Sequence, residues 1–326
     1  MRGPLSVLLV VDPVEELKPA KDSSIAMMRE LARRGHGVWA CTTADLHWSS
    51  AGSGARVAGR ARSLAIKPGA PAGKGAWFEA SGSELRALAG FDAVLMRKDP
   101  PFDTEFLYAT FLLEAAQRDG ARVFNDPRAL RDHNEKFAIS EFAEFSVPTL
   151  VTRSADLLRE FRSEQRDIVV KPLDGMGGAS IFRLGPDDPN LNVILETVTE
   201  TGRRTVMAQR YIPEIRDGDK RVLVIGGAAV PFSLARVPKP GESRGNLAVG
   251  GIGRAQPLSP RDQAIAAALG PTLAGRGLLL VGLDVIGDYL TEINVTSPTC
   301  FVEIATQTGF DVAAMFVDSL EAALAQ

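Results

Sequence analysis

The run Leu5–Val11 is apolar at every position but Ser6 and is stopped by Asp12. A strand that is apolar at consecutive positions buries both faces, the habit of a parallel sheet covered by helices on each side. The rhythm continues. Asp22-Ser23-Ser24 caps an amphipathic stretch that turns Ile25, Met28 and Leu31 inward and closes at Arg33-Arg34-Gly35. Gly37–Cys41, Phe91–Met96 and Ala121–Phe124 read as further strands, and Thr104–Arg118 as a helix. Strands alternating with helices predict an α/β unit around a parallel sheet. Residues 49–90, rich in Gly, Ala and Ser, give no readable pattern.

At 326 residues the chain is long enough for about two domains, and its character changes near Asn125. Asp126-Pro127 opens a predicted helix running to about Phe145, with Pro in the first turn. Pro148–Val151, Ile168–Lys171, Ala179–Leu184 and Thr205–Tyr211 read as strands, with helices near Ser154–Ser163 and Leu191–Glu200. Lys220–Ile225 and Ala228–Ala235 look like an antiparallel pair. Arg236–Gly253 is polar, Gly-rich and aperiodic, and a loop of that length is usually functional or disordered. A helix at about Pro260–Gly275, two strands and a C-terminal helix close the chain.

Composition removes several classes of function. Lys and Arg total 37 against 40 Asp and Glu, a net charge of −3, so no basic excess points to nucleic acid or anionic lipid. No apolar run approaches the roughly 20 residues of a spanning helix. The N-terminal run reads as a strand rather than a signal peptide, since no small-residue cleavage site follows it. Two cysteines, Cys41 and Cys300, make neither a disulfide framework nor a zinc site, and three scattered histidines argue against a His triad. A cytosolic location is expected. Chemistry then falls to carboxylates, Lys, Arg, backbone amides and a hard metal.

Three groups could carry it. The first is the turn Lys171-Pro172-Leu173-Asp174-Gly175-Met176-Gly177-Gly178 between two apolar strands. Glycines there let backbone N–H groups approach phosphate, and an adjacent lysine neutralises it. The spacing is not a Walker A loop, and the strand–turn–strand context is not a Rossmann fingerprint. A plain hairpin turn is the competing reading, but Lys171 shares a strand face with Val169, where a lysine needs a partner. The second group is Asp284, Glu292 and Asn294, oxygen donors of the kind that hold Mg²⁺ alongside phosphates. Glu292 and Asn294 share a strand face. A two-residue loop at Gly287-Asp288 would send Asp284 to the other face. A three-residue loop, Gly287–Tyr289, pairs Asp284 with Glu292 and Gly282 with Asn294 and leaves an apolar opposite face, so patterning favours it. The third group is Arg97, Arg221, Arg236 and Arg244, at strand ends or in the long loop, suited to capture carboxylate or phosphate. Lys136 alone reads as a solvated helix lysine. Met27, Met28, Phe137, Phe142 and Phe145 read as core, and Cys300 as a buried small residue.

The blocks Lys21-Asp-Ser-Ser24, Met96-Arg-Lys-Asp-Pro-Pro-Phe-Asp-Thr-Glu-Phe106, Leu130-Arg-Asp-His-Asn-Glu-Lys136 and Lys171–Phe182 extend these motifs. So do Asp217-Gly-Asp-Lys-Arg-Val222, Arg244-Gly-Asn-Leu-Ala248 and Leu290–Thr299. Together they make the chain resemble prokaryotic glutathione synthetases, ATP-grasp carboxylate–amine ligases. The resemblance implies an N-terminal α/β, Rossmann-like substrate-side domain over 1–124 and a two-lobed α+β ATP-grasp domain over 125–326, with a lid at about 236–253. It implies that Lys136 and Lys171 hold ATP phosphates, that Gly175, Gly177 and Gly178 close over them, and that Gln209, Tyr211 and Ile212 form the adenine-side hinge with Asp219 near the nucleotide. Asp284, Glu292 and Asn294 would bind two Mg²⁺ ions, with Mn²⁺ an alternative. Arg97, Arg221 and Arg236, with Ser297, would bind the dipeptide, and Arg244 would belong to the lid. Arg210 stands where the family pattern leads one to expect a smaller polar residue.

The implied reaction transfers the γ-phosphoryl of ATP to the Cys carboxylate of γ-glutamylcysteine and lets glycine displace phosphate from the acyl phosphate. Such chemistry needs positioning and charge neutralisation rather than a protein nucleophile, and a lid against water. The implied partners are small molecules only, with a homotetramer as the family's assembly. The alternatives are a ligase of this class acting on another acid and amine, and a non-catalytic nucleotide-binding module. The module predicts missing metal carboxylates or lid arginine, and all are present.

Overall fold

The computed structural model describes residues 3–50, 56–67, 77–175, 177–239, 245 and 250–326. In chain order, β1 (Ser6–Val10), α1 (Ser23–Arg33) and β2 (Gly37–Cys41) make the first crossover. Next come β3 (Leu46–Ser49), β4 (Arg56–Ile66), β5 (Phe78–Ala80) and β6 (Glu84–Ala87), then β7 (Ala93–Met96), α2 (Thr104–Arg118) and β8 (Val123–Phe124). The sheet runs β3-β4-β2-β1-β7-β8, parallel from β2 to β8. Helix α1 begins where Asp22 accepts the Ile25 N–H at 3.0 Å, the expected cap.

The patternless stretch contains strands after all. β4 is antiparallel to β2 and β3, and β5 and β6 pair with it. Its small residues hide the alternation and permit close packing: a Cβ on Gly59 would meet Leu46 at 3.3 Å.

The helix expected from Asp126 to Phe145 is shorter. α3 (Pro127–Asp132) stops at Asp132, and a 3₁₀ segment follows over Phe137–Phe145, broken at Phe142. The cause is local. Asn134 Oδ1 accepts the N–H groups of Lys136 (3.2 Å) and Phe137 (2.9 Å), a side-chain turn that competes with helical hydrogen bonds. Phe137 is 48% exposed rather than core, whereas Phe142, Met27 and Met28 are buried.

A small lobe follows: β9 (Thr149–Thr152), α4 (Ala155–Gln165), β10 (Ile168–Pro172), β11 (Phe182–Leu184), α5 (Leu191–Val198) and β12 (Val206–Arg210). Its antiparallel sheet, β11-β10-β12-β9, packs Ile168, Val170 and Val206 against Leu158 and Leu195 in a core of its own. β11 starts later than its apolar run suggests, because Gly177, Gly178 and Ser180 adopt positive φ and extend the turn.

The last sheet comprises β13 (Asp219–Ile225), β14 (Ala228–Val237) and β15 (Ile252–Pro257), then, after α6 (Pro260–Gly275), β16 (Leu280–Ile286) and β17 (Tyr289–Asn294). Its order is β15-β14-β13-β16-β17, all antiparallel. The polar segment read as a loop from Arg236 is therefore strand through Val237 and again from Ile252. Most residues between lie outside the described set. Instead of one C-terminal helix there are α7 (Phe301–Thr308) and α8 (Val312–Ala325), separated where Gly309 takes φ 76° and Asp311 caps the second.

The first and last sheets share two cores. Leu8 and Val10 of β1 face the same cluster as Val222 and Val224 of β13, while Val7 and Leu9 join Leu223 and Ile225 beneath α7 and α8. Period-two alternation thus welds both faces of β1 into the molecule. Asn125 stitches the junction, donating to the carbonyls of Leu280 and Val295 (2.8 Å each) and accepting the Leu280 N–H at 2.9 Å. Among the described residues no helix is long and apolar enough to cross a membrane.

Candidate active site

A cavity of about 570 Å³ lies between the small lobe, the last sheet and the carboxyl ends of the first sheet. Its floor is the β16–β17 hairpin. The turn there has two residues, Gly287 and Asp288, not three: Ile286 opposes Tyr289 and Val285 opposes Leu290. A bulge at Thr291, whose hydroxyl donates to the Asp284 carbonyl at 3.1 Å, then inserts one residue. The insertion restores the pairs Asp284–Glu292 and Gly282–Asn294. The polar face expected from patterning therefore forms, by a tighter turn and a bulge.

Opposite charges saturate this face. Arg221 lies across from Asp284 on β13 and donates to it through Nε and Nη2, the latter at 3.0 Å. Arg236 reaches Asp284 Oδ2 at 2.8 Å and also pairs with Asp219. Burial alone would raise the Asp284 carboxyl, but Arg221 and Arg236 override it and hold it well below the usual carboxylate range. Asp219 goes the other way: burial, with Asp284 and Glu292 nearby, lifts it despite Arg236. Lys171 Nζ sits 3.2 Å and Lys136 Nζ 3.7 Å from Glu292 Oε1. These two ammonium groups outweigh burial and keep Glu292 ionised below its ordinary range. Lys136, read as a surface lysine, is 5% exposed, and its Nζ also donates to the Gly175 carbonyl at 2.5 Å.

Gly175, Gly177 and Gly178 line the cavity above this floor, and Gly175 packs so closely that a Cβ would meet Pro172 at 3.0 Å. Gln209, Tyr211 and Ile212 line it at the end of β12. Gln209 donates to the Thr149 hydroxyl at 3.1 Å, and the Tyr211 N–H donates to the Asp167 carbonyl at 2.9 Å. Asp219, Arg221, Asn294 and Ser297 are also on the wall. Arg97 and Arg236 are buried behind it. Arg97 donates to the Ser24 hydroxyl (3.2 Å) and the Pro298 carbonyl (2.9 Å), and burial lowers its pKa to about 10 against the pull of Asp22 and Asp99. Ser297 donates to the Arg97 carbonyl at 3.4 Å. Arg244 lies outside the described residues.

Residues 135–309 match the family described as prokaryotic glutathione synthetase, ATP-grasp domain, and residues 5–131 match its N-terminal domain. The chain belongs to the prokaryotic glutathione synthetase family. It is an ATP-dependent ligase, and its activity is the family's synthesis of glutathione. The glutathione synthetase of Ralstonia nicotianae is 58% identical over 98% of this chain and 96% of its own length. That of Pseudomonas aeruginosa is 53% identical over 97% and 98%. Among solved structures, the ATP-grasp ligase PsnB with its minimal precursor (TM-score 0.65, 20% identity, 99% of both chains) shares the fold. D-cycloserine synthetase DcsG shares it too (TM-score 0.66, 16% identity, 98% and 99%).

A glutathione synthetase uses ATP and a divalent metal, and the donor set fits one. Asp284, Glu292 and Asn294 offer hard oxygens on one wall, Asn294 donating Nδ2 to the Gly282 carbonyl (3.1 Å) and keeping Oδ1 as its acceptor. Among the described residues no cluster of three or more His, Cys, Asp or Glu could hold a metal, so the set suits an ion shared with phosphate oxygens rather than caged by protein.

Sequence reasoning missed Arg183 and Glu135 in the cavity and gave Arg210 no role. Arg183 stacks 3.7 Å over Tyr211 and pairs with Asp167 at 2.6 Å, which fixes the Tyr211 ring. Glu135, hidden beside Lys136, accepts from the N–H groups of Val295 (2.9 Å) and Thr296 (3.0 Å) and from the Thr296 hydroxyl (2.8 Å). Arg210 lines the cavity with its guanidinium 5.7 Å from the Tyr289 ring. The only signal for these was position beside a motif.

Proposed function

We propose that this cavity joins γ-glutamylcysteine to glycine in two steps, with each residue in a stated role. In the first, the Cys carboxylate oxygen attacks the γ-phosphorus of ATP, the bond to ADP breaks, and an acyl phosphate forms. In the second, the glycine amine attacks the acyl carbon, loses a proton and expels phosphate. Lys136 and Lys171 hold the phosphates beneath Gly175, Gly177 and Gly178, while Gln209, Tyr211 and Ile212 bracket the adenine and Asp219 lies near the nucleotide. Arg221, Arg236 and Arg97, with Ser297, orient the dipeptide and neutralise charge developing on the transferring groups. Two Mg²⁺ ions, with Mn²⁺ as a substitute, held by Asp284, Glu292 and Asn294, would screen the β- and γ-phosphates. The charges support this count: Asp219, Asp284 and Glu292 face Lys136, Lys171, Arg221 and Arg236, a small cationic surplus that cannot by itself balance a triphosphate.

The observation that carries the reading is the convergence of Lys136 and Lys171, from separate segments, on Glu292 beside a glycine turn. Hydroxylamine trapping tests it. ATP and γ-glutamylcysteine without glycine should yield a dipeptide hydroxamate in the wild type, at a rate at least about a hundredfold lower in Glu292→Gln. ADP formation with no hydroxamate would contradict the acyl phosphate.

We further infer a division near Asn125, a lid at about 236–253 that includes Arg244, and cytoplasmic residence, for which the two free, buried cysteines are support. A homotetramer is consistent with the exposed rings of Trp48, Tyr108 and Phe111 on β3 and α2.

A further inference from the structure

The turn that carries Gly175, Gly177 and Gly178 is held from three directions at three consecutive residues. Asn134 Nδ2 donates to the Leu173 carbonyl at 3.2 Å, and Lys136 Nζ donates to the Gly175 carbonyl at 2.5 Å. Between them Asp174 is exposed and off the cavity wall, and its Oδ1 accepts from Arg204 Nη2 at 2.5 Å. Leu173 packs against the core shared by the first and last sheets, whereas Arg204 is rooted in the small lobe, two residues before β12.

Arg204 is presented by a costly stretch of backbone. Glu200, Thr201 and Gly202 take φ of 49°, 55° and 83°, and a β-branched threonine in that region is an outlier. The stretch folds back tightly: the Thr201 N–H donates to the Glu196 carbonyl and the Arg204 N–H to the Thr199 carbonyl, each at 2.8 Å. Thr199 is buried, and its hydroxyl accepts the Gly202 N–H at 3.2 Å. Strained backbone of this kind persists only where its surroundings over-determine it, and it gathers at sites that need a group held in one place. The group held here is the Arg204 guanidinium, which also meets Glu200 at 3.6 Å and through which the loop reaches Asp174.

Nucleotide binding treats these anchors differently. In the ligase reading Lys136 has a phosphate to hold, so the nucleotide competes with the Gly175 carbonyl for its ammonium. Arg204 and Asp174 lie off the cavity wall and face no such competition. We propose that Arg204 is a positioning residue for phosphoryl transfer: through Asp174 it keeps Gly175, Gly177 and Gly178 over the β- and γ-phosphates while Lys136 turns to the nucleotide. The proposal rests on the ligase reading and specifies what holds the turn in the loaded site. In the free protein Asn134 and Lys136 hold the turn as well, so loss of this exposed pair should leave stability nearly unmoved.

A double-mutant cycle read by calorimetric binding tests this. The full chain, with Mg²⁺, is titrated with AMPPNP, a non-hydrolysable ATP analogue, and with AMP, which lacks the phosphates beneath the turn. Arg204→Ala and Asp174→Ala should each raise the Kd for AMPPNP about threefold to fivefold, the upper range for an exposed ion pair. The double variant should bind no more weakly than either single one, because each residue acts through the other. The Kd for AMP and the thermal midpoint of the nucleotide-free protein should keep their wild-type values in all three variants. Wild-type affinity for AMPPNP in Arg204→Ala, additive losses, equal weakening of AMP and AMPPNP, or a lowered midpoint would overturn the proposal. Failure of the wild type to bind AMPPNP would overturn the ligase reading first, and the proposal with it.

Discussion

Glu135 anchors the chain on either side of Asn294. One of its side-chain oxygens takes three hydrogen bonds from Val295 and Thr296, and its carbonyl accepts the Ile293 N–H at 2.8 Å. Glu135→Ala should cost about 2–4 kcal/mol of stability, since the Val295 and Thr296 N–H groups lose their acceptor. Urea midpoints measure it, and kcat should fall with it. At the charged floor, Glu292→Gln leaves Lys136 and Lys171 unneutralised, and kcat/KM should drop about a hundredfold to a thousandfold with a higher Mg²⁺ requirement. An initial-rate Mg²⁺ titration reads both. His133 gives a pH signature elsewhere. Its Nε2 meets Arg276 Nη1 at 2.7 Å, and since a guanidinium only donates, the proton sits on Nδ1, facing the Ala129 carbonyl. Burial first, then Arg276, lowers its pKa below 6.5, with Glu141 and Asp132 opposing weakly. The unfolded chain therefore binds the extra proton first. Stability from this group is complete above about pH 6.5 and declines as pH falls through the lowered folded value. Denaturation midpoints between pH 7.5 and pH 5 should show this slope in the wild type and a shallower one in His133→Gln. Residue identities at the floor were legible in the sequence because oxygen donors stood out on apolar strands. Glu135 and Arg183 were not, because their partners lie far away along the chain.

The hairpin shows how element and site depend on each other. Patterning predicted the pairing of Asp284 with Glu292 but needed a three-residue loop to reach it, because a bulge leaves no mark in the alternation. The same face limits side-chain size. A Cβ on Gly282 would meet Arg221 Cδ at 2.7 Å. Gly282→Ala should therefore displace the guanidinium from Asp284 and lower kcat at least tenfold while removing no functional group, a result steady-state kinetics can check. Strands β1, β2 and β7 and helices α1 and α2 were legible from periodicity. The helix expected through residues 133–136 was not stopped by any breaker residue. The Asn134 side-chain turn ends it, and Asn134, Glu135 and Lys136 then reach the Leu173 carbonyl, the segment just after β17 and the Gly175 carbonyl.

Over the whole molecule, packing is uneven in a way that suits a grasping enzyme. The first and last sheets share two continuous cores, while the small lobe rests mainly on its own, built on Leu158, Ile168 and Leu195, and joins a shared one through Met207 and Val151. Native-state hydrogen exchange should find β10 and β12 opening at lower free energy than β1 and β13, and adding ATP with Mg²⁺ should raise protection in the small lobe most. Uniform protection across all three sheets would contradict that partition. The central claim concerns the reaction itself. The most direct measurement is phosphate release from ATP and Mg²⁺ with γ-glutamylcysteine, with and without glycine, together with mass detection of the tripeptide. Glycine-dependent release with tripeptide formed is the expected result. ATP binding without turnover on this pair of substrates would contradict the assignment.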